Sequence, residues 1–458
     1  MSPVGVFANA ALFLWIPISL TLFFTMPRNR AALVTIFGGL LFLPELAWFK
    51  IPLLPPFSKQ TVPYLCVLLG YSLRAPGRVW SPPKEWWVTF LALLMVAGGA
   101  ATGLTNGDVL TYGKWHHVVL PGLTFKDGMS IGLGEMLGAA VPFFLGTVVL
   151  RERKDFEDLL AFLAATGVAY SLFALLELRL SPQLHAWVYG YHQHPDFQQT
   201  VRFGGYRPMI FMGHGLAVAL FFVVTTLCAT ALLHTRRRVW GMTARWASRW
   251  LAFIVLICKS TAAIVYAAVA VPLTMFASPR WRQRIASWLA LFVILYPALR
   301  QADLFPTEGL LSAARLLGED RAGSMEFRFD NEEVLLKKAR ERPWFGWGLS
   351  GRNEGYDEYG RMTTVTDGAW IISFSVSGVV GFLSLFGLLV LPIFVSRRRS
   401  RKIDDESQRD MLATLSLIVA VTAIDLIPNG IFSNYPFFLS GALLSLSRAR
   451  SDPRDDRS

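Results

Sequence analysis

Six ionisable side chains, Glu45, Glu135, Glu177, His214, Lys259 and Asp425, fall in stretches otherwise apolar enough to lie in a membrane. A titratable group there is costly to bury, so each is a functional hypothesis with a position attached. Arg202 and Arg207 come just before one such stretch and Asp367 opens another, while Glu326 and Arg328 lie in the longest polar segment. Two kinds of chemistry suit these types. Guanidinium and ammonium groups hold anions through charge-assisted hydrogen bonds. A carboxylate or imidazole at an apolar border takes up a proton near neutral pH. The alternative for Glu45, Glu177 and Asp425 is structural, because a carboxylate near a helix end reaches headgroups or water. For the deeper Glu135, His214 and Lys259 both readings stand.

Positioning these groups falls to an unusually apolar chain. Of 458 residues, 53% are hydrophobic and 17% charged, against nearly a quarter charged in a typical soluble domain. The apolar residues come in runs of roughly the length that crosses a bilayer core. The runs lie near 4–24, 31–48, 60–73, 86–104, 128–150, 156–178, 209–233, 240–258, 261–278, 285–300, 367–395, 410–427 and 430–447. The fold class is therefore all-α, a polytopic transmembrane bundle of about 12 or 13 spans, forming one domain over 1–447. The count turns on whether Lys259-Ser260 divides 240–277 and whether the short run with Pro63 crosses.

The net charge of +12 would suit nucleic acid, but its distribution argues otherwise. Basic clusters at Arg28 and Arg30, Arg74 to Lys84, Arg151 to Lys154, Arg236 to Arg238, Arg280 to Arg284 and Arg397 to Lys402 fall on every second connection. One orientation then satisfies the positive-inside rule throughout. It puts 448–458 in the cytoplasm as a disordered tail. The long connections 105–127, 179–208 and 301–366 lie on the opposite, extracytoplasmic side, the last with about a dozen acids against nine bases. Nucleic acid is not an expected partner. The uncharged N-terminus lacks a basic region and a cleavage site, so the first run reads as an anchor. Cys66, Cys228 and Cys258 all lie in spans, so no disulfide is expected. The polar residues named above, with six of the seven histidines, gather at the outer side, which suggests binding or chemistry open both to lipid and to water.

In 301–366, Asp330 with Glu333 three residues on predicts a helix start. Val334, Leu335, Lys337, Lys338, Ala339 and Arg340 continue it as a short amphipathic helix that Pro343 ends. Trp344, Phe345 and Trp347 with Gly346 and Gly348 then form an aromatic turn. Its aromatics either belong to an interfacial belt or stack on a sugar ring. His192 and His194 with Asp196, and His116 with His117, lack further ligands at zinc-like spacing, so no metal is expected. No phosphate-binding glycine loop, Gly-x-Ser-x-Gly elbow or His-Glu-x-x-His occurs, which argues against nucleotide-driven transport and hydrolysis.

In order, Lys259-Ser260-Thr261 at a helical turn, Arg328, Arg342-Pro343-Trp344-Phe345-Gly346-Trp347-Gly348 and Asp367-Gly368-Ala369-Trp370 resemble the landmarks of the O-antigen ligase and O-antigen polymerase superfamily. The segment from Ser181 through His192-Gln193-His194 to Arg202-Phe203-Gly204-Gly205-Tyr206-Arg207-Pro208 is similar to a branch of exopolysaccharide polymerases within it. The resemblance covers most of the chain and is carried by the order of short motifs.

It implies a multi-pass glycosyltransferase of a bacterial inner membrane, with its site facing the periplasm or cell exterior. The donor is then a glycan on undecaprenyl diphosphate and the acceptor a growing polysaccharide, with partner proteins that flip the lipid-linked unit and set chain length. Arg202, Arg207, Lys259 and Arg328 would hold the diphosphate leaving group, Asp367, Glu326 or His214 would serve as base, and Trp344, Trp347 and His194 would meet glycan or interface. No metal or other cofactor is implied. Ligases of the family carry His where this chain has Asp367, which favours polymerase. A ligase or oligosaccharyltransferase with a lipid A-core or protein acceptor is the alternative, and a transporter of lipid-linked sugar, whose polar site belongs nearer the midplane, the third reading.

Overall fold

Prolines and small polar residues cut the apolar chain into rods. The computed structural model describes residues 5–51, 54–80, 83–202, 204–233, 238–316, 318–430 and 433–448. It is 69% helix and 5% strand. In the first half, α1 (Val6–Thr25), α2 (Arg28–Phe42), α3 (Val62–Arg74), the short α4 (Pro76–Val79), α5 (Trp86–Thr105), α6 (Phe125–Glu135) and α7 (Val141–Val149) follow one another. A π-helical turn, Met136–Ala140, joins α6 to α7 in one rod. Next come α8 (Arg153–Leu180), the short α9 (Leu184–Tyr189), α10 (Gly215–Ala231), α11 (Ala244–Ile257), α12 (Thr261–Phe276) and α13 (Pro279–Gln301). The last part holds α14 (Thr307–Leu316), α15 (Glu319–Ala339), α16 (Ala369–Ser400), α17 (Glu406–Asp425) and α18 (Tyr435–Leu446).

Every apolar run expected to span carries a helix, and among the described residues six helices are long and apolar enough to cross a membrane. They are α1, α5, the α6–α7 rod, α8, α16 and α17; α3, α10, α12 and α18 are apolar but shorter. The division at Lys259-Ser260 is real: α11 ends at Cys258, Lys259 takes φ of 53°, and the Ser260 hydroxyl caps α12 by accepting from Ala263 N. Residues 449–458, most of the expected tail, lie outside the described residues, as do Arg236 and Arg237 of one basic cluster and Phe203 of the 202–208 motif.

Burial ranks the rods. Every residue of α10 from Val218 to Ala231 is buried, and so is all of α18. A helix apolar on all sides belongs in the middle of a bundle, and α10 is packed by α8, α11, α12 and α17. Small residues set the closest crossings, as in other bundles within lipid. A β-carbon on Gly99 of α5 would lie 2.5 Å from Gly132 N of α6.

The helix ends sort into two faces. At one, basic residues cross-link neighbouring helices: Arg153 binds Asp405 at 2.9 Å, Arg399 binds Glu85 at 2.9 Å, and Arg282 pairs with Asp410. The other carries the described residues of the segments 43–61, 106–124, 181–214, 302–368 and 426–434 and all the candidate residues.

In two places the structure corrects the expectation. The 302–368 segment does not hold only short helices, because α15 runs unbroken from Glu319, so Asp330 and Glu333 are interior and Gly318 is the N-cap. The helix expected from Asp330 is therefore the second half of a longer one. Nor is His214 within a helix. It precedes α10 as the N-cap, its Nδ1 accepting from Leu216 N at 3.0 Å.

Candidate functional site

The site starts with what pins 181–214 in place. Glu177, 1% exposed near the end of α8, accepts three backbone N–H groups across that segment. They are Met209 at 2.8 Å, Ile210 at 2.7 Å and Leu184 at 3.1 Å. Lys59 donates to Phe211 O at 2.7 Å and pairs with Glu45 at 3.0 Å, and Gln193 donates to Ile210 O at 3.1 Å. His185 is fully buried, with Nδ1 against Tyr191 O at 2.9 Å and Nε2 accepting from Glu45 N at 3.1 Å. That pattern needs the neutral Nδ1–H tautomer, and burial holds this imidazole down at about 4. Glu177 is satisfied fully enough to be a strut, and Glu45, paired with Lys59, helps fasten the same segment, which favours the structural of their two readings.

On this frame Val201–Arg202 pairs with Gly205–Tyr206 in a two-residue-per-strand hairpin. Arg207 follows it, tied through its N–H to Thr200 O at 2.7 Å and only 5% exposed. Its Nη2 donates to Lys259 O at 3.1 Å, while its buried Nε has no partner. Among the described residues no carboxylate pairs with Arg207. Burial, then the nearby charge of Arg202, bring its guanidinium down to about 10, with Cys258 opposing and Arg328 adding to the effect. The Lys259 ammonium lies over Gly205, where a β-carbon would make it shift. Arg328 arrives from α15 and faces Asp367 across 3.7 Å, each about one-third exposed. So the four cations named from sequence converge, although 126 residues separate the first from the last.

Two of the proposed proton acceptors are here as well. Burial raises the Asp367 carboxyl above its ordinary value, while Arg328 pulls it back. His214 stands at a ring-centroid distance of 5.4 Å from His194. Burial, then Arg207, His194, Arg202 and Arg328, hold His214 well below the usual imidazole range. It is therefore neutral, a weak base, and its Nδ1 is already used. Glu326 is exposed on α15, with no partner among the described residues.

Trp344 and Trp347 are elsewhere. Helix α16 breaks at Gly378, where φ is 67°, and the turn after Arg342 is spliced into the break. Val379 N donates to Pro343 O at 2.8 Å and Val380 N to Trp344 O at 3.2 Å. In return Trp347 N donates to Ser375 O at 2.8 Å and Gly348 N to Val376 O at 2.9 Å. Four backbone groups that a broken helix would leave bare in lipid are thus paired. Gly346, at φ of 66°, has room for nothing larger, since a β-carbon would lie 2.5 Å from Val376 C. Trp347 is 6% exposed and gives its Nε1–H to Lys338 O at 2.8 Å. A sugar cannot stack on it as placed. Trp344 is 66% exposed.

Two further carboxylates contribute, one of which, Glu332, the sequence did not single out. Glu332 accepts from Trp370 Nε1 at 2.9 Å, Tyr296 OH at 3.2 Å and Arg300 Nε at 3.2 Å. This fastens α15 over α13 and α16 one turn from Arg328. The other is Asp425, 8% exposed at the end of α17. It is bonded to Asn429 Nδ2 at 2.9 Å and to Tyr266 of α12, and near enough to feel Arg328. Its place in a span was the available signal; the charge it would face could not be read from its neighbours in sequence. Among the described residues no three of His, Cys, Asp and Glu are grouped as a metal would need.

Compared with protein-family models the chain matches none, and no curated protein is significantly similar to it. The family resemblance therefore rests on its ordered motifs, and what the site can do must be argued from its geometry.

Proposed function

We propose that the chain is a membrane glycosyltransferase that extends a polysaccharide from a polyprenyl-diphosphate-linked donor at the extracytoplasmic face. The observation that carries this reading is the buried Arg207, without a carboxylate partner among the described residues, beside Arg202, Lys259 and Arg328. Such excess charge is costly unless an anion neutralises it, and a diphosphate at headgroup level has the charge and forked oxygens that guanidinium groups match. In the transfer, the acceptor hydroxyl oxygen bonds to the anomeric carbon as the bond from that carbon to the diphosphate oxygen breaks. The electron pair leaves on the diphosphate, which the cations stabilise, and the hydroxyl proton passes to Asp367. A raised carboxyl makes Asp367 a better base than an ordinary aspartate, and His214, held neutral and weakly basic, a poorer candidate.

The transporter reading draws on the break in α16, since interrupted helices hold substrate in many carriers. Here the exposed backbone groups are taken by the 343–348 turn, which leaves none of those four for a substrate. The test is purified protein given a lipid-linked repeat unit, with and without chelator. A ladder of longer products in both arms is expected. Transfer of a finished chain to lipid A-core or protein without extension would make it a ligase, and transport without transfer would overturn the proposal.

A further inference from the structure

The basic face holds a second charged pocket, unrelated to the site above. Glu85, which precedes α5, accepts from Arg399 Nη2 at 2.9 Å and from Arg448 Nε at 2.8 Å. Arg399 also donates to Ser447 Oγ at 3.1 Å. One carboxylate thus ties the ends of α16 and α18 to the start of α5. With Lys84, Trp86 and Trp87, these three residues line an open cavity of about 660 Å³. It has three cations against one carboxylate, so the clamp leaves positive charge over.

What lies beside the cavity indicates the ligand. Trp86 is 76% exposed, and Phe90 at 52% and Leu93 at 63% continue along the same side of α5. Their spacing of four and then three residues makes an apolar strip running from the pocket along a helix long enough to span. A free anion would use the charge but not the strip. A zwitterionic lipid would use the strip but not the surplus charge. We infer that this pocket binds the phosphodiester headgroup of an anionic glycerophospholipid, whose acyl chains lie on Trp86, Phe90 and Leu93. Basic pockets between helix ends are suited to such headgroups, and aromatic residues at that level anchor the interface. The bound lipid adds to the Glu85 clamp by bridging Lys84, Arg399 and Arg448.

The test uses the full chain, purified and stripped of lipid in detergent. It is titrated separately with phosphatidylglycerol, phosphatidylcholine and inorganic phosphate, with retained lipid read by native mass spectrometry and stability by melting temperature. Phosphatidylglycerol should be retained in preference and raise the melting temperature. Lys84→Glu, whose side chain is exposed outside the helices, should weaken that retention roughly fivefold or more, the value of one basic side chain against an anionic lipid. Trp86→Ala should weaken it while leaving the folded chain intact. Equal retention of phosphatidylcholine, or Lys84→Glu without effect, would overturn the inference. An equal rise in melting temperature with inorganic phosphate alone would also overturn it, because the ligand would then be a free anion.

Discussion

Two arginine-bearing loops of this chain look alike in sequence and differ in what their charges meet. In 202–208, Arg207 is buried with Arg202, Lys259 and Arg328 close by, and no carboxylate among the described residues pairs with it. In the turn that begins at Arg342, Arg342 and the wholly buried Arg352 share Asp108, at 2.8 and 3.2 Å. Arg342 further holds Thr105 O at 2.6 Å and Asn106 Oδ1 at 2.7 Å, and Arg352 holds Asp108 O and Pro121 O, each at 2.9 Å. An unpartnered Nε does not separate them, since Arg352 has one as Arg207 does. The carboxylate does. Asp108 supplies the counter-charge that makes struts of Arg342 and Arg352, whereas Arg207 has none among the described residues, and it is this arginine that the proposal gives to an anionic ligand.

The largest expected effect breaks that comparison directly. Arg207→Ala should insert and fold, and lower chain extension by roughly a hundredfold or more, as does loss of a group that stabilises transition-state charge. Single repeat units should remain on the lipid. Arg342→Ala should do the reverse, costing about 1–2 kcal/mol of stability for charged hydrogen bonds that are partly screened by solvent. Its activity per folded molecule should stay near wild type. Were Arg342→Ala to abolish transfer at full stability, or Arg207→Ala to leave polymer at full length, the assignment of the two loops would be reversed.

Next in size is the base. Asp367→Asn should lower transfer roughly a hundredfold with donor binding kept, measured by retention of the lipid-linked unit. The sign of the pH dependence follows from the two opposed influences on this group. A base works deprotonated, so the wild-type rate climbs as pH rises through a carboxyl value that burial has raised. Arg328 holds that value down, so in the residual activity of Arg328→Gln the acid limb should move to higher pH. A limb that stays put, or moves lower, would take the proton away from Asp367.

These residues also show what sequence made legible. Position at or near an apolar run singled out Arg202, Arg207, Lys259 and Asp367 as candidates, and the resemblance added Arg328; the structure brings them near one another, and the helical turn at Lys259 was visible in the same way. Pairing was not legible. Glu177 and Asp425 have the same signal, a carboxylate near a helix end, yet one is saturated by three backbone N–H groups, two of them more than thirty residues on, and the other is near the charge of Arg328. The glycine turn was read as a surface because glycines next to aromatics suit both a sugar platform and a close backbone approach. Only the break at Gly378, more than thirty residues on, decides for the second. Trp347→Phe sharpens this: removing the donor to Lys338 O should cost about 1 kcal/mol, seen as a lower melting temperature, with KM for the lipid-linked donor unchanged. A raised KM at unchanged stability would restore the tryptophan to the glycan.

The smallest effect concerns His214, which sits in the cationic region yet is bonded like a strut. Its Nδ1 caps α10, and burial with the cations around it lowers its proton affinity, which favours the neutral ring. Asparagine can replace a capping acceptor and aspartate can too, but aspartate adds a counter-charge beside Arg207. His214→Asn should therefore cost under about 1 kcal/mol, as exchange between capping groups does, and lower transfer only a few-fold. His214→Asp should keep the cap and fold, and lower transfer further by occupying the cations that the diphosphate needs. If His214→Asn instead removed transfer and left donor binding intact, the proton would belong to the imidazole. If Asp and Asn behaved alike, the charge around Arg207 would not be what the ligand reads.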